Sequence, residues 1–217
     1  MAFHDRVEAG RKLAERLKAY AQRSDVLVLG LPRGGVPVAY EVARALQVPL
    51  DLLLVRKLGV PGQEELAMGA IATGGVRILN EEVVQTFGIP DHVIEAVTAS
   101  AQQELARRER LYRGDRSAPE VQDRTVILVD DGIATGATMR AAVAALRYLH
   151  PACLIVAVPV APPPVCKALQ AEADDFVCLL SPPFFLGVGA WYEHFPQMTD
   201  DEVRALLEQA WHAQQAR

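Results

Sequence analysis

The sequence predicts an α/β fold: an open, mainly parallel twisted sheet flanked by helices, with a small C-terminal hood. Three observations carry this prediction. Short continuous apolar runs (Val26–Leu31, Leu50–Val55, Thr125–Val129, Cys153–Val160 and Phe176–Leu180) alternate with stretches of helical spacing, as strands buried on both faces and joined by crossover helices should. The first, second and third of these runs end in glycine, in charge or in a pair of acids, which suits loops at the carboxyl edge of such a sheet. A chain of 217 residues, 51% hydrophobic and 23% charged, supports one sizeable core better than two independent ones. A single domain is therefore expected over 1–217, with its core at about 24–180, a helical insertion at about 90–113, and the hood and a terminal helix at about 181–217.

Residues 5–23 place Val7, Leu13, Leu17 and Tyr20 at helical spacing, so an amphipathic helix precedes the first strand. Val26–Leu31 is that strand. Pro32-Arg33-Gly34-Gly35 is a tight loop, and helical spacing resumes from Val38 to Leu46. Leu50–Val55 is expected as the second strand of a βαβ unit, ending in Arg56-Lys57. Residues 58–65, with Gly59, Pro61, Gly62, Glu64 and Glu65, have few apolar anchors and are expected to form a mobile loop. Leu66–Thr73 and Val76–Leu79 flank Gly74-Gly75, a hairpin signal.

From Pro90 to Tyr112, Val93, Val97, Ala101 and Leu105 line one helical face, and the arginines near its end suit a helix C-terminus. Thr125–Val129 is the most β-branched strand of the chain, and Gly136–Leu149 follows it as an apolar helix. Strand, helix and strand recur at 153–160, 162–171 and 176–180. Thr199 and Glu202 form a capping box for a last helix through Trp211.

Composition narrows the function. A net charge of −5 offers no footprint for a nucleic-acid backbone, which argues against nucleic acid as a partner. No run reaches membrane-spanning length, and the N-terminal residues are charged from His4 onward, so no membrane partner and a cytoplasmic location are expected. Cys153, Cys166 and Cys178 lack metal-ligand spacing and read as core fillers.

The chemistry concentrates in Val126–Thr138. An apolar strand delivers Asp130 and Asp131 to its carboxyl end. Small, glycine-punctuated, hydroxyl-bearing residues follow and open a helix, so backbone N–H groups and the positive helix end can converge on one anion. Carboxylates able to accept from sugar hydroxyls, followed by a phosphate nest, suggest a sugar phosphate. A P-loop would need Gly-Lys-Ser/Thr, and a dinucleotide fingerprint would need three glycines near the first strand; neither stands here.

This thirteen-residue stretch resembles the signature of type I phosphoribosyltransferases that binds 5-phosphoribosyl-1-pyrophosphate (PRPP). The resemblance implies that Asp130 and Asp131 hold the ribose hydroxyls and that Gly132, Ile133, Ala134, Thr135, Gly136, Ala137 and Thr138 wrap the 5-phosphate. Pro32–Gly35 resembles the loop that contacts pyrophosphate through Arg33, Gly34 and Gly35, although a plain tight turn would read the same way. Arg56 and Lys57 resemble the basic residues near the pyrophosphate, with 58–65 as the loop that closes over the reaction; an exposed charged strand end would look similar.

The resemblance further implies transfer of the phosphoribosyl group to a nitrogenous base with release of pyrophosphate, a salvage-type reaction of nucleotide metabolism. Asp130, Asp131, Lys57 and Arg56 would be catalytic. Mg²⁺ would arrive with PRPP, near Asp130 and Asp131 but not held by the protein alone. A PRPP-sensing regulator without catalysis is the alternative, and a homodimer is a possible assembly. For the base, Phe184, Phe185, Trp191, Tyr192, Glu193 and His194 are the candidate hood; packing of a terminal lid on the sheet explains the same aromatics equally well.

Overall fold

The computed structural model describes residues 2–215, with the backbone alone at Glu64 and Glu65. Five strands form a parallel sheet in the order β2-β1-β6-β7-β8: β1 Val26–Gly30, β2 Leu50–Leu52, β6 Thr125–Val129, β7 Cys153–Val160 and β8 Asp175–Leu180. All four neighbouring pairs are parallel. β1 and β6 lie at the centre and are buried along their whole length, which explains why both read as unbroken apolar runs.

Helices cover both faces. On one side α1 (Arg6–Arg16), α2 (Gly35–Leu46), α4 (Asp91–Arg113) and α7 (Asp200–Gln215) contribute Leu13, Val38, Leu105 and Leu207 to the larger core cluster. On the other, α5 (Ala137–Tyr148) and α6 (Pro163–Glu172) contribute Met139, Val143 and Leu169. The capping box forms as expected: Thr199 N–H and hydroxyl both donate to Glu202 at 2.8 Å, and Glu202 N–H donates back at 3.2 Å. No helix among the described residues is long and apolar enough to cross a membrane. Cys166 is buried, Cys153 and Cys178 are half-buried, and all three are free thiols.

Two expectations fail between residues 50 and 65. The Leu50–Val55 run is not one strand. Leu53 N–H still donates to Gly30 in the parallel sheet at 3.1 Å, whereas Leu54 N–H donates to the Thr73 hydroxyl at 3.0 Å and Leu54 C=O accepts from Thr73 N–H at 2.9 Å. The chain therefore changes sheets at Leu53-Leu54 and enters an antiparallel one, β3-β4-β5, made of Val55–Val60, Gln63–Ala72 and Val76–Leu79. Segment 58–65 is consequently no open loop. It is the tip of the β3–β4 hairpin, closed at Pro61-Gly62, with Leu58 and Val60 buried; the side chains of Glu64 and Glu65 lie outside the described residues. Gly74 and Gly75 both adopt positive φ, +86° and +77°, as the β4–β5 turn requires.

A short helix α3, Glu81–Thr86, follows β5, with Asn80 accepting from Val83 N–H. α4 packs on α7 and β3. Its last residue, Arg113, fastens it to the sheet edge: the guanidinium is 2% exposed, Nε donates to Asp51 at 3.0 Å, and Nη2 donates to the Leu52 carbonyl.

Candidate functional site

The parallel register of β1 and β6 pairs Gly30 with Val129, so the loops that follow both strands emerge side by side at the carboxyl edge. Leu31 N–H donates to Val129 at 2.9 Å, and the chain turns into α2 through Gly34 and Gly35. Both glycines are pressed onto the acid pair. A Cβ on Gly34 would lie 2.0 Å from Asp131 Oδ2; one on Gly35 would lie 2.8 Å from Asp130 Cα and from the Val129 carbonyl oxygen. The Pro32–Arg33 peptide is cis. Arg33 is 40% exposed, and its nearest carboxylate, Asp200, is 4.0 Å away, so the guanidinium remains accessible to an anion.

Asp130 and Asp131 are half-buried. Asp130 accepts from Asp131 N–H at 2.9 Å, and burial together with the adjacent Asp131 charge pushes its carboxyl well above the ordinary value. Burial pushes Asp131 up as well, against the pull of Arg6, whose Nε donates to Asp131 Oδ2 at 2.8 Å with side-chain exposures of 9% and 13%. The Asp131 carbonyl accepts from the Tyr192 hydroxyl at 2.5 Å.

The turn after the acids is held from below. Ile133 is buried and its N–H donates to Val160, so this residue anchors the turn. Ala134, Thr135, Ala137 and Thr138 are exposed. Gly136 (φ +82°) precedes α5 and offers it no side-chain cap; Ala137 N–H reaches the Thr135 hydroxyl at 3.5 Å, and the positive end of the helix dipole lies beside these exposed residues. Gly132 passes under Val188, where a Cβ would fall 2.6 Å from Val188 Cγ1.

The other candidates are placed differently. Arg56 and Lys57 lie on β3 rather than at the end of a parallel strand, because the chain has already changed sheets. They line a cleft of about 560 Å³ against Ala96, Val97 and Ser100 of α4, whose lining includes none of the residues that contact the acid pair. Within the expected hood, Tyr192 is buried, stacks on Phe195 with ring centroids 4.8 Å apart and touches Phe3 at 5.4 Å, so it is a packing residue, and burial pushes its phenol up. Trp191 is half-buried, and its carbonyl accepts from Ala2 and Phe3 N–H. Glu193 pairs with His4 at 2.9 Å on the surface. His194 lines an apolar groove with Arg6, Pro196 and Leu206. Phe185 is half-buried, and Phe184 projects, 86% exposed. Arg6 escaped the sequence reading altogether: nothing in an amphipathic helix marks one arginine as the partner of a residue 125 positions away.

An acid pair, a glycine loop against it and a helix start without an N-cap side chain stand together at the carboxyl edge of one parallel sheet, an arrangement of an α/β protein that can receive an anion beside groups able to accept from hydroxyls. The comparison with known proteins makes this specific. Residues 2–189 match the family model "Phosphoribosyl transferase domain", and the chain belongs to that family. It is 47% identical over 208 residues to proteins of Mycobacterium tuberculosis, strains CDC 1551 / Oshkosh and ATCC 25618 / H37Rv, that carry the name "Putative phosphoribosyl transferase". That match covers 96% of this chain but 47% of each relative, so the chain spans about half the length of the curated relatives it matches. The crystal structure of TT1426 from Thermus thermophilus superposes with a TM-score of 0.86 at 42% identity, covering 96% of this chain and 99% of that one. The fold is that of the type I phosphoribosyltransferases.

Proposed function

We propose that the protein transfers the 5-phosphoribosyl group of PRPP to a nitrogenous base and releases pyrophosphate. The observation that carries this reading is the packing of Gly34 and Gly35 onto Asp130-Asp131, which supports assigning the loop to pyrophosphate and the adjoining acids to ribose. In the reaction a ring nitrogen of the base bonds to C1 of the ribose, the C1–O bond to pyrophosphate breaks with its electron pair leaving on oxygen, and the base gives up a proton.

Each part of the site has a use in that step. The segment Ala134–Thr138, exposed at every residue but Gly136, and the N–H groups opening α5 hold the 5-phosphate, with Thr135 and Thr138 adding hydroxyl donors. Asp130 and Asp131 accept from the ribose hydroxyls and carry negative charge close to C1, where positive charge develops. Arg33 and the N–H groups of Gly34 and Gly35 receive the charge that builds on pyrophosphate. Arg56 and Lys57 stand on a hairpin flank and take part only when the β3–β4 hairpin folds toward the acids.

Among the described residues, no group of three or more His, Cys, Asp and Glu side chains is arranged to hold a metal. Two adjacent carboxyls whose ionisation is opposed by burial fit a hard, oxygen-seeking cation that keeps its remaining ligands from PRPP. Mg²⁺ bound in that way supplies positive charge for the departing pyrophosphate.

The test is calorimetry of PRPP with and without Mg²⁺ on wild type and Asp131→Asn, followed by pyrophosphate release with a panel of purine and pyrimidine bases. Mg²⁺-dependent binding, release with one class of base, and loss of turnover in a folded Asp131→Asn variant are expected. Tight binding with no release from any base would transfer the argument to a PRPP-sensing regulator, and no binding would end the PRPP reading.

A further inference from the structure

We infer that Arg6 is a positioning residue for Asp131, and that through it the 192–196 segment sets how this carboxylate meets the ribose. The inference rests on the PRPP reading and adds to it a residue from α1 that the sequence motif does not contain.

Arg6 is the first residue of α1, and Asp5 caps that helix by accepting from Glu8 N–H at 2.8 Å, so its backbone is fixed. Its guanidinium is then held on three sides. Nε donates to Asp131 Oδ2 at 2.8 Å, Nη1 donates to the Pro196 carbonyl at 2.8 Å, and the Phe195 ring lies face-on with its centroid 3.7 Å from Cζ. Phe195 in turn stacks on Tyr192, whose hydroxyl donates to the Asp131 carbonyl. Asp131 is thus gripped twice from one segment, at its side chain through Arg6 and at its backbone through Tyr192.

Gly34 closes on the same oxygen, since there is no room for even a methyl group between it and Asp131 Oδ2. A carboxylate wedged in this way has lost its rotational freedom before any ligand arrives. Its acceptor orbitals are preorganised, and ordering cost is removed from the binding step.

Arg11 of the same helix gives a contrast: it bonds Glu41 of α2 and fastens α1 to α2 without touching the acids, while Arg44 bonds the same carboxylate from within α2. Among the described residues, Arg6 is the only cation within ion-pair distance of Asp130 or Asp131. A fastening role alone would require no contact with the acid pair.

The experiment compares ribose 5-phosphate with 2-deoxyribose 5-phosphate by calorimetry, on wild type, Arg6→Lys, Arg6→Met and Phe195→Leu, after PRPP binding to wild type has been measured. Both sugars share the phosphate anchor and the 3-hydroxyl, so their affinity ratio reads the 2-hydroxyl contact alone, the contact this inference assigns to Asp131. Wild type is expected to prefer the ribose form by about tenfold, the factor for a hydrogen bond to a charged acceptor. Arg6→Met should bring the ratio close to one, Arg6→Lys should recover part of it, and Phe195→Leu should reduce it in the same direction. Thermal unfolding accompanies each variant; if Arg6→Met does not fold, Arg6→Lys and Phe195→Leu decide.

A merely structural Arg6 would weaken both sugars by one common factor, and that result, or an unchanged ratio in every folded variant, overturns the inference. Tighter ribose binding by Arg6→Met would also overturn it, since Arg6 would then be obstructing the carboxylate. Failure of wild type to bind PRPP overturns the function proposed above and this assignment with it. PRPP binding with a wild-type sugar ratio near one overturns this assignment alone.

Discussion

Gly34→Ala sets two effects of opposite sign against each other. Gly34 has φ −65° and ψ −28°, ordinary right-handed helical values at the start of α2, so local propensity alone predicts that alanine stabilises the protein by about 0.5–1 kcal/mol. Packing predicts the reverse. The new methyl would stand 2.0 Å from Asp131 Oδ2 and 2.6 Å from its Cγ, and relief requires the carboxylate to move by about 1 Å. Movement is resisted because Arg6 holds the same oxygen at 2.8 Å. Overpacking of this kind costs about 1–3 kcal/mol, so the clash wins and leaves a net loss of about 1–2 kcal/mol, which lowers Tm by about 2–8 °C in a chain of this size.

The larger consequence is catalytic: a displacement of about 1 Å in a group that orients substrate can cost on the order of a hundredfold in turnover. Differential scanning calorimetry and pyrophosphate release measure the two quantities. In an Asp131→Ala background the obstruction is gone, and Gly34→Ala should become neutral or mildly stabilising. Equal turnover of Gly34→Ala and wild type, or an undiminished penalty in the Asp131→Ala background, would refute the reasoning.

Asp130→Asn should raise stability at neutral pH. The folded protein binds the Asp130 proton more tightly than the unfolded chain does, so the stability contributed by this group is complete below the unfolded pKa of about 3.9 and is lost as pH rises through the raised folded value. The advantage of Asn, followed by urea denaturation from pH 7 downward, should shrink toward zero near pH 4. Arg33→Ala should weaken PRPP but leave ribose 5-phosphate unchanged in calorimetry, because the proposed function gives the half-exposed guanidinium, 4.0 Å from Asp200, to the pyrophosphate; equal loss for both ligands would contradict that placement. Arg113→Met should cost about 3–5 kcal/mol in chemical denaturation, since it strands Asp51, which burial already pushes up, at the edge of the sheet.

Legibility in the sequence followed the range of the interactions. Thr125–Val129 with its two acids could be read because strand, turn and helix start are contiguous, and Gly74-Gly75 could be read because only a tight turn needs two successive positive φ values. The sheet change at Leu53-Leu54 was invisible: both leucines are buried, at 2% and 3% exposure, and apolarity does not say which sheet a residue joins. The β3–β4 hairpin did leave a trace, Leu58 and Val60 alternating around Gly59 before Pro61-Gly62, but the glycines, proline and acids around it read more simply as a loop. α3 went unread, although Asn80 followed by Glu81 and Glu82 supplies a cap and an acidic first turn. Arg6 and the true place of Tyr192 left no local sign, since their partners lie 125 and 61 residues away.

The residues that could not be read are those that make the readable motif tolerable. Two adjacent carboxyls at the end of a buried strand repel each other and lose hydration, and the motif contains no cation to offset this. The fold answers with one arginine brought from α1, mostly buried and fixed by an aromatic face, which hydrogen-bonds Asp131 and reaches Asp130 through its charge alone. Asp130 retains a backbone N–H as its hydrogen-bond donor. The site is therefore left short of positive charge on one side and ordered on the other, the condition in which the proposed ligand, PRPP carrying Mg²⁺, would gain most from binding. Because the stabilising partner is supplied from outside the motif, substitutions in α1 or in the 192–196 segment should alter ligand binding without touching a single residue of Val126–Thr138.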